Sequence, residues 1–241
     1  MKRNYSRLVN AIVLFVLLYA TVSYAHQSAF DRDAAPWHKK AIITCGMLKN
    51  LQTFDQQQML HNLQELKTEL EELSSKYLSN PPHEYANDPL WKTYFEDLAD
   101  NIAIVQERVE KKQYRLAQKY CGNFCMIFGK MHRTNGTTDL TDVMFAWRME
   151  IRNAMDMVNA GNMGGAQRHL LAVKSLAAQV REHAAKHQDP AFAGQLETLF
   201  TAATQWSEGI ENADRKAANE QFAKFMTEFP RIYLATLSGN D

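Results

Sequence analysis

The stretch "YCGNFCMIFGKMHR" (120–133) places Cys121, Cys125, Met126, Met131 and His132 within fourteen positions, and a third cysteine, Cys45, lies far upstream. Thiolate, thioether and imidazole donors together suit a soft transition ion, Cu(I) first and Zn2+ second. The candidate metal ligands are Cys45, Cys121, Cys125, Met131 and His132, with Met47 beside them. The same cysteines carry a second chemistry. In an oxidising compartment thiols pair, and a bridge from Cys45 to either Cys121 or Cys125 would staple two distant segments and leave one thiol buried. Cys121 and Cys125 themselves, one helical turn apart, suit disulfide geometry poorly. Three cysteines are too few for a disulfide scaffold.

Helical periodicity sets how these side chains lie. At about 100° per residue, Cys121, Cys125, Phe128 and His132 share one stripe of a helix, about 90° from an apolar stripe of Tyr120, Phe124, Ile127 and Met131. His38 and Cys45, seven apart, share a stripe that flanks the apolar positions Trp37, Ala41, Thr44 and Leu48 on the same rotational side. On antiparallel neighbours such stripes point either into the shared groove or both away from it. If residue 36 sits level with residue 133, Cys45 lies level with position 124 and His38 with position 131. A three-thiol layer and a two-histidine layer are then about 10 Å apart. Bundle handedness decides between convergence and divergence.

The elements that must do this positioning are helices nearly throughout, with no trusted strand signal. Breakers mark the joints at "NPPHEYANDP" (80–89), "RTNGTTD" (133–139), "GNMGG" (161–165) and "HQDP" (187–190). The chain also repeats itself. "WHKKAIITCGML" (37–48) aligns with "WRMEIRNAMDMV" (147–158), and "DPLW" (88–91) with "DPAF" (189–192). Four helices are expected in each copy, at about 35–52, 55–78, 88–110 and 112–132, then at about 139–160, 163–187, 190–211 and 214–236. Pro36, Pro89 and Pro190 suit first turns. Short connections make sequential helices antiparallel, so the fold class is all-α. Two tandem up-down-up-down four-helix bundles are expected at 35–133 and 139–236, after a flexible segment at 26–34.

Apolar matching of the last helix of each copy lays Phe222 on Tyr120, Met226 on Phe124, Phe229 on Ile127 and Tyr233 on Met131. The cysteines of 120–133 then face Ala223 and Thr227, and Cys45 faces Met155. Only the first copy carries the thiols, so any cofactor belongs to it and the second bundle has no cofactor signature. Met144, Met149, Met155, Met157 and Met163 read as core packing. His169, His183 and His187 read as solvated helix residues, and His26 sits in the flexible segment.

The amino terminus is a targeting segment. "MKRNYSR" is a positive n-region, "LVNAIVLFVLLYATV" an apolar run, and Ser23 and Ala25 flank a cleavage position, so residues 1–25 read as a secretory signal peptide. The expected location is periplasmic or otherwise secreted. No later run is long enough to span a bilayer. Cleavage removes Lys2, Arg3 and Arg7 and leaves 24 basic against 27 acidic residues, which argues against a nucleic-acid partner. No Ser-His-Asp arrangement, phosphate loop or catalytic carboxylate pair is visible, so the expected role is non-enzymatic.

Two resemblances bear on the cofactor. Cys121-x3-Cys125 with Met131 and His132 resembles the dinuclear copper loop of cytochrome oxidase subunit II, C-x3-C-x3-H-x2-M, with the order of His and Met reversed. An antiparallel four-helix bundle behind a signal peptide, with a cysteine pair late in its fourth helix, resembles the cytochrome c-prime family over about 35–133. That resemblance implies haem at Cys121 and Cys125, with electron transfer as the role. The family's C-x2-C-H is here C-x3-C, and Met126 stands at the axial histidine position; a b-type haem held by His132 and Met47 is the variant of this reading. Three readings stay open: copper or another transition metal, haem, or a cofactor-free structural or protein-interaction module with a disulfide staple. A redox or protein partner goes with each.

Overall fold

The structure is a computed structural model that describes residues 28–186 and 189–237. The expected signal peptide, His26 and His187 lie outside the described residues. The fold is all-α: eight α-helices and two short 3-10 turns, with no strand among the described residues. The helices are α1 (Ala29–Gly46), α2 (Gln56–Tyr77), α3 (Trp91–Glu110), α4 (Tyr114–Asn135), α5 (Leu140–Asn159), α6 (Met163–Ala184), α7 (Pro190–Glu211) and α8 (Arg215–Thr236). None is long and apolar enough to cross a membrane.

Consecutive helices pack together, and α1 closes on α4 as α5 closes on α8. Each set of four has its own apolar core, one around Trp37, Leu63, Tyr94 and Phe124, the other around Trp147, Leu199, Trp206 and Phe225. Side-chain bonds show the antiparallel sense. Trp37 Nε1 donates to the Leu66 carbonyl while Lys76, further along α2, reaches back to Asp33 on α1. Asn123 reaches Asn101, and Tyr94 reaches Thr134, between α3 and α4.

Helix ends follow short-range rules. Asp55, Asn162, Asp189 and Asp214 cap α2, α6, α7 and α8 by accepting backbone N–H bonds. Pro190 takes the first turn of α7 as expected. Gly136, at φ 70°, ends α4 in the left-handed conformation that glycine adopts without a Cβ clash.

Pro89, expected in the first turn of α3, precedes its cap Leu90, and two larger expectations need correction. Residues 29–34, expected to be flexible, form the first turns of α1, so Pro36 lies inside the helix and not in its first turn. Ser28 caps this end by accepting the Asp31 N–H. Phe30 and Ala34 extend the buried series of Trp37 and Ala41, and Phe30 packs edge-on against Tyr77, Tyr85 and Trp91. That burial offsets the ordering cost of the segment. The second correction is one residue of register in α8. Trp37 meets Phe124 edge-on at 5.7 Å, and Trp147 meets Phe225 edge-on at 5.1 Å. Phe225 is therefore the counterpart of Phe124, Tyr233 that of His132, and the positions facing Cys121 and Cys125 are Phe222 and Met226. Lys112 and Ala213, both at positive φ, repeat with the same offset.

Gly209 on α7 marks a close helix crossing. A Cβ there would sit 2.8 Å from the backbone N of the buried Ala218 on α8. Gly209→Ala should lower stability by about 2 kcal/mol. Urea unfolding followed by circular dichroism checks this, and an unchanged midpoint would refute the crossing.

Candidate functional site

The thiols separate into two environments. Cys45 on α1 and Cys121 on α4 form a disulfide with their Cα atoms 5.7 Å apart. The two stripes therefore converge into the α1–α4 groove. In the second bundle the corresponding positions hold Met155 and Phe222, which pack with its core.

Cys125, one turn further on α4, is a free buried thiol that packs with the second core. Its Sγ lies 3.4 Å from His38 Nε2. Burial pushes the thiol up to about 11, so it stays protonated at neutral pH. Burial, followed by the charge of His132, drives His38 down to about 3, so its ring is neutral. A neutral imidazole accepting from a protonated thiol fits both directions, with the remaining ring proton on Nδ1. A thiol held this way is a poor nucleophile. The His38 ring stacks on Phe128 at 4.4 Å. The second copy repeats the motif, with Arg148 over Phe229 at 5.4 Å and Phe229 stacked on Tyr233. Arg148 and Tyr233 both act on Cys125 from across the seam.

His132 sits in the other environment, about two turns along α4 from Cys125, where the bundles join. Its Nδ1 is 2.6 Å from Asp142 Oδ2, and its Nε2 is 3.3 Å from Asp31 Oδ1. The second contact is in ion-pair range without hydrogen-bond alignment. Burial alone would lower His132, but Asp142 and Asp31 outweigh it and push the imidazole up to about 10. Burial works against Asp31 too, but the charge of His132 and the hydrogen bond from Tyr85 hold its carboxyl below the usual range. Tyr85 donates to Asp31 at 2.7 Å and meets Thr137 Oγ1 at 3.0 Å. Asp139 and Asp142 build a reciprocal capping box at the start of α5, each side chain accepting from the other's backbone N–H. Burial, then the neighbouring Asp142 charge, raises Asp139 to about 7.

The expected metal ligands are thus not assembled as one set. Two thiols are consumed by the disulfide, Cys125 faces His38, and Met131 is sealed in the first core. Met47 accepts from Asn62 at 3.5 Å, and His132 is held between aspartates. Haem does not fit the first bundle. Its interior is filled by Phe30, Trp37, Tyr85, Tyr94 and Phe124, Cys121 is bonded to Cys45, and Met126 is on the surface, 46% exposed. Among the described residues, the ligating side chains that converge within 4.8 Å are His132, Asp139 and Asp142.

Sequence reasoning named the stripe carrying His38 but passed over Asp31, Asp139 and Asp142, and met Arg148 and Tyr233 only as counterparts in the repeat. The D-x-x-D at 139–142, directly after "RTNGTT", was the visible signal: a capping box whose second carboxylate lies between Leu140 and Val143 is drawn inward with them. His169 pairs with Glu150 at 2.6 Å, which gives it a structural role. Comparison with protein-family models, with curated proteins and with solved structures finds no match to this chain, so its function is argued from this geometry.

Proposed function

We propose that this is an exported, non-enzymatic protein of cytochrome c-prime-like architecture in which the haem-attachment position has become a disulfide staple, and that it acts as a structural or protein-interaction module. The observation that carries this reading is the Cys45–Cys121 bond closing α1 on α4. A bond of this kind persists in an oxidising compartment, which agrees with the periplasmic or secreted location expected from the amino terminus. The remaining chemistry-bearing groups are turned toward the second bundle. His38, Cys125 and His132 meet partners at the seam, so they serve docking of the two halves. The soft-metal and electron-transfer reading loses two of its three thiolates to the disulfide.

Mass spectrometry of the full chain, exported into a periplasm able to attach haem and kept from reductant, tests this. The expected mature chain begins at His26 and is two hydrogens lighter than its reduced mass, without haem in native or denatured spectra. Haem mass that survives denaturation, or a chain with three free thiols, would overturn the reading.

A further inference from the structure

We propose that the seam between the bundles is a binding site for one divalent transition cation, Zn2+ being the representative, held by His132, Asp139 and Asp142 with Asp31 supporting the imidazole. This goes beyond the staple reading and does not depend on it. The donors come from two elements that meet where the bundles join: His132 near the end of α4, and the first turn of α5 with its cap. One donor atom from each lies within 4.8 Å of the others, a span that a single ion draws together. One nitrogen and carboxylate oxygens favour a borderline ion such as Zn2+ over Cu(I), which wants sulfur, and over Ca2+, which wants six or more oxygens.

A second observation makes this more than an acidic cluster. His132 is 7% exposed, and its Nε2 has no aligned hydrogen-bond partner although it faces Asp31. A ring that gives Nδ1 to a cation keeps its proton on Nε2, toward Asp31, which Tyr85 in turn holds. A small turn of the ring would align Nε2 on Asp31 and complete the carboxylate–imidazole–metal chain that orients histidine ligands. Charge points the same way. Among the described residues, the cation within ion-pair distance of Asp31 and Asp142 is the His132 imidazolium. Asp139, half-buried beside them, is influenced by that same imidazolium, and no ion pair to it is seen among the described residues. A divalent ion supplies the missing positive charge. On binding, the Nδ1 proton leaves to solvent and the nitrogen lone pair takes the metal.

The test is calorimetric titration of Zn2+ into the chelator-treated full chain without reductant, with thermal unfolding in parallel and a repeat on the Cys45→Ser, Cys121→Ser double variant. The expected result is one Zn2+ per chain, a higher unfolding temperature with Zn2+, and the same affinity in the double variant. Asp139→Asn keeps a good helix cap, so the fold is retained while the affinity falls at least tenfold. His132→Gln should do the same, with circular dichroism confirming that it is folded. A folded wild-type chain that takes up no Zn2+ overturns the proposal. So does Zn2+ binding that Asp139→Asn and His132→Gln leave unchanged, since it then sits elsewhere. A separate failure of the staple reading would show as haem or free thiols by mass and leaves this result unaffected.

Discussion

Cys45→Ser should lower the unfolding free energy by about 3–4 kcal/mol, the largest effect expected from a single substitution in this chain. Cys45 and Cys121 are 76 positions apart, and joining them removes much of the closure entropy of the unfolded first bundle. The bond also locks α1 on α4, the first and last helices of that bundle, which no short connection joins. Cys121→Ser should cost the same, and the double variant no more than either single one, because each breaks the same bond. In Cys45→Ser the freed Cys121 does not find Cys125 instead, since one-turn spacing on α4 fits disulfide geometry poorly. Urea unfolding with and without a dithiol reductant checks this. Reductant should bring the wild type down to the midpoint of the variants and leave theirs unmoved. Equal midpoints for oxidised wild type and Cys45→Ser would show that the bond contributes nothing to the fold.

Acidification should strain the seam through His38. In the folded chain its imidazole stays neutral down to about 3, whereas an unfolded histidine takes up a proton near 6.5. Between those values the unfolded chain binds more protons, so this residue's contribution to stability falls as pH drops below about 6.5 and is level above it. From pH 7 to pH 4 the loss is on the order of 3 kcal/mol. Asp139 has the opposite sign. Its carboxyl, raised to about 7, is already protonated in the fold when the unfolded carboxyl is still ionised, so it adds stability as pH falls toward the carboxylate range. The two offset each other in the intact protein, so the clean readout is a difference. Relative to wild type, His38→Gln should gain about 3 kcal/mol of stability between pH 7 and pH 4, whatever its offset at pH 7. Denaturant unfolding of both proteins at several pH values measures this, and a pH-independent difference would mean that His38 titrates normally in the fold.

Much of this molecule was legible in its sequence. The 3.6-residue periodicity, the breakers and the repeat of Trp37 at Trp147 determined the helices and their grouping in fours, because these signals are local and a helix must bury its apolar stripe somewhere. Boundaries were less secure. Phe30 belongs to α1 because aromatic rings of α2, α3 and the 83–85 turn surround it, and no local signal reports contacts that distant. The one-residue error in α8 arose because its apolar positions satisfy helical spacing in two registers, and only the Trp147–Phe225 contact selects between them.

The site was legible as an inventory more than as a geometry. The wheel placed Cys45 and His38 on one stripe and Cys121, Cys125 and His132 on another with the same rotational offset, but spacing along two helices leaves bundle handedness free. Tertiary packing brought Cys45 onto Cys121, turned Cys125 toward His38 and the second core, and set His132 between Asp31 and Asp142. Those last partners come from the start of α1 and the start of the second bundle. The sequence alone determined which chemical groups were available and on which face of which helix. Which of them meet was decided by how two closed bundles dock, since a pairwise contact across a seam depends on the rigid-body placement of both halves and leaves no periodic trace in either.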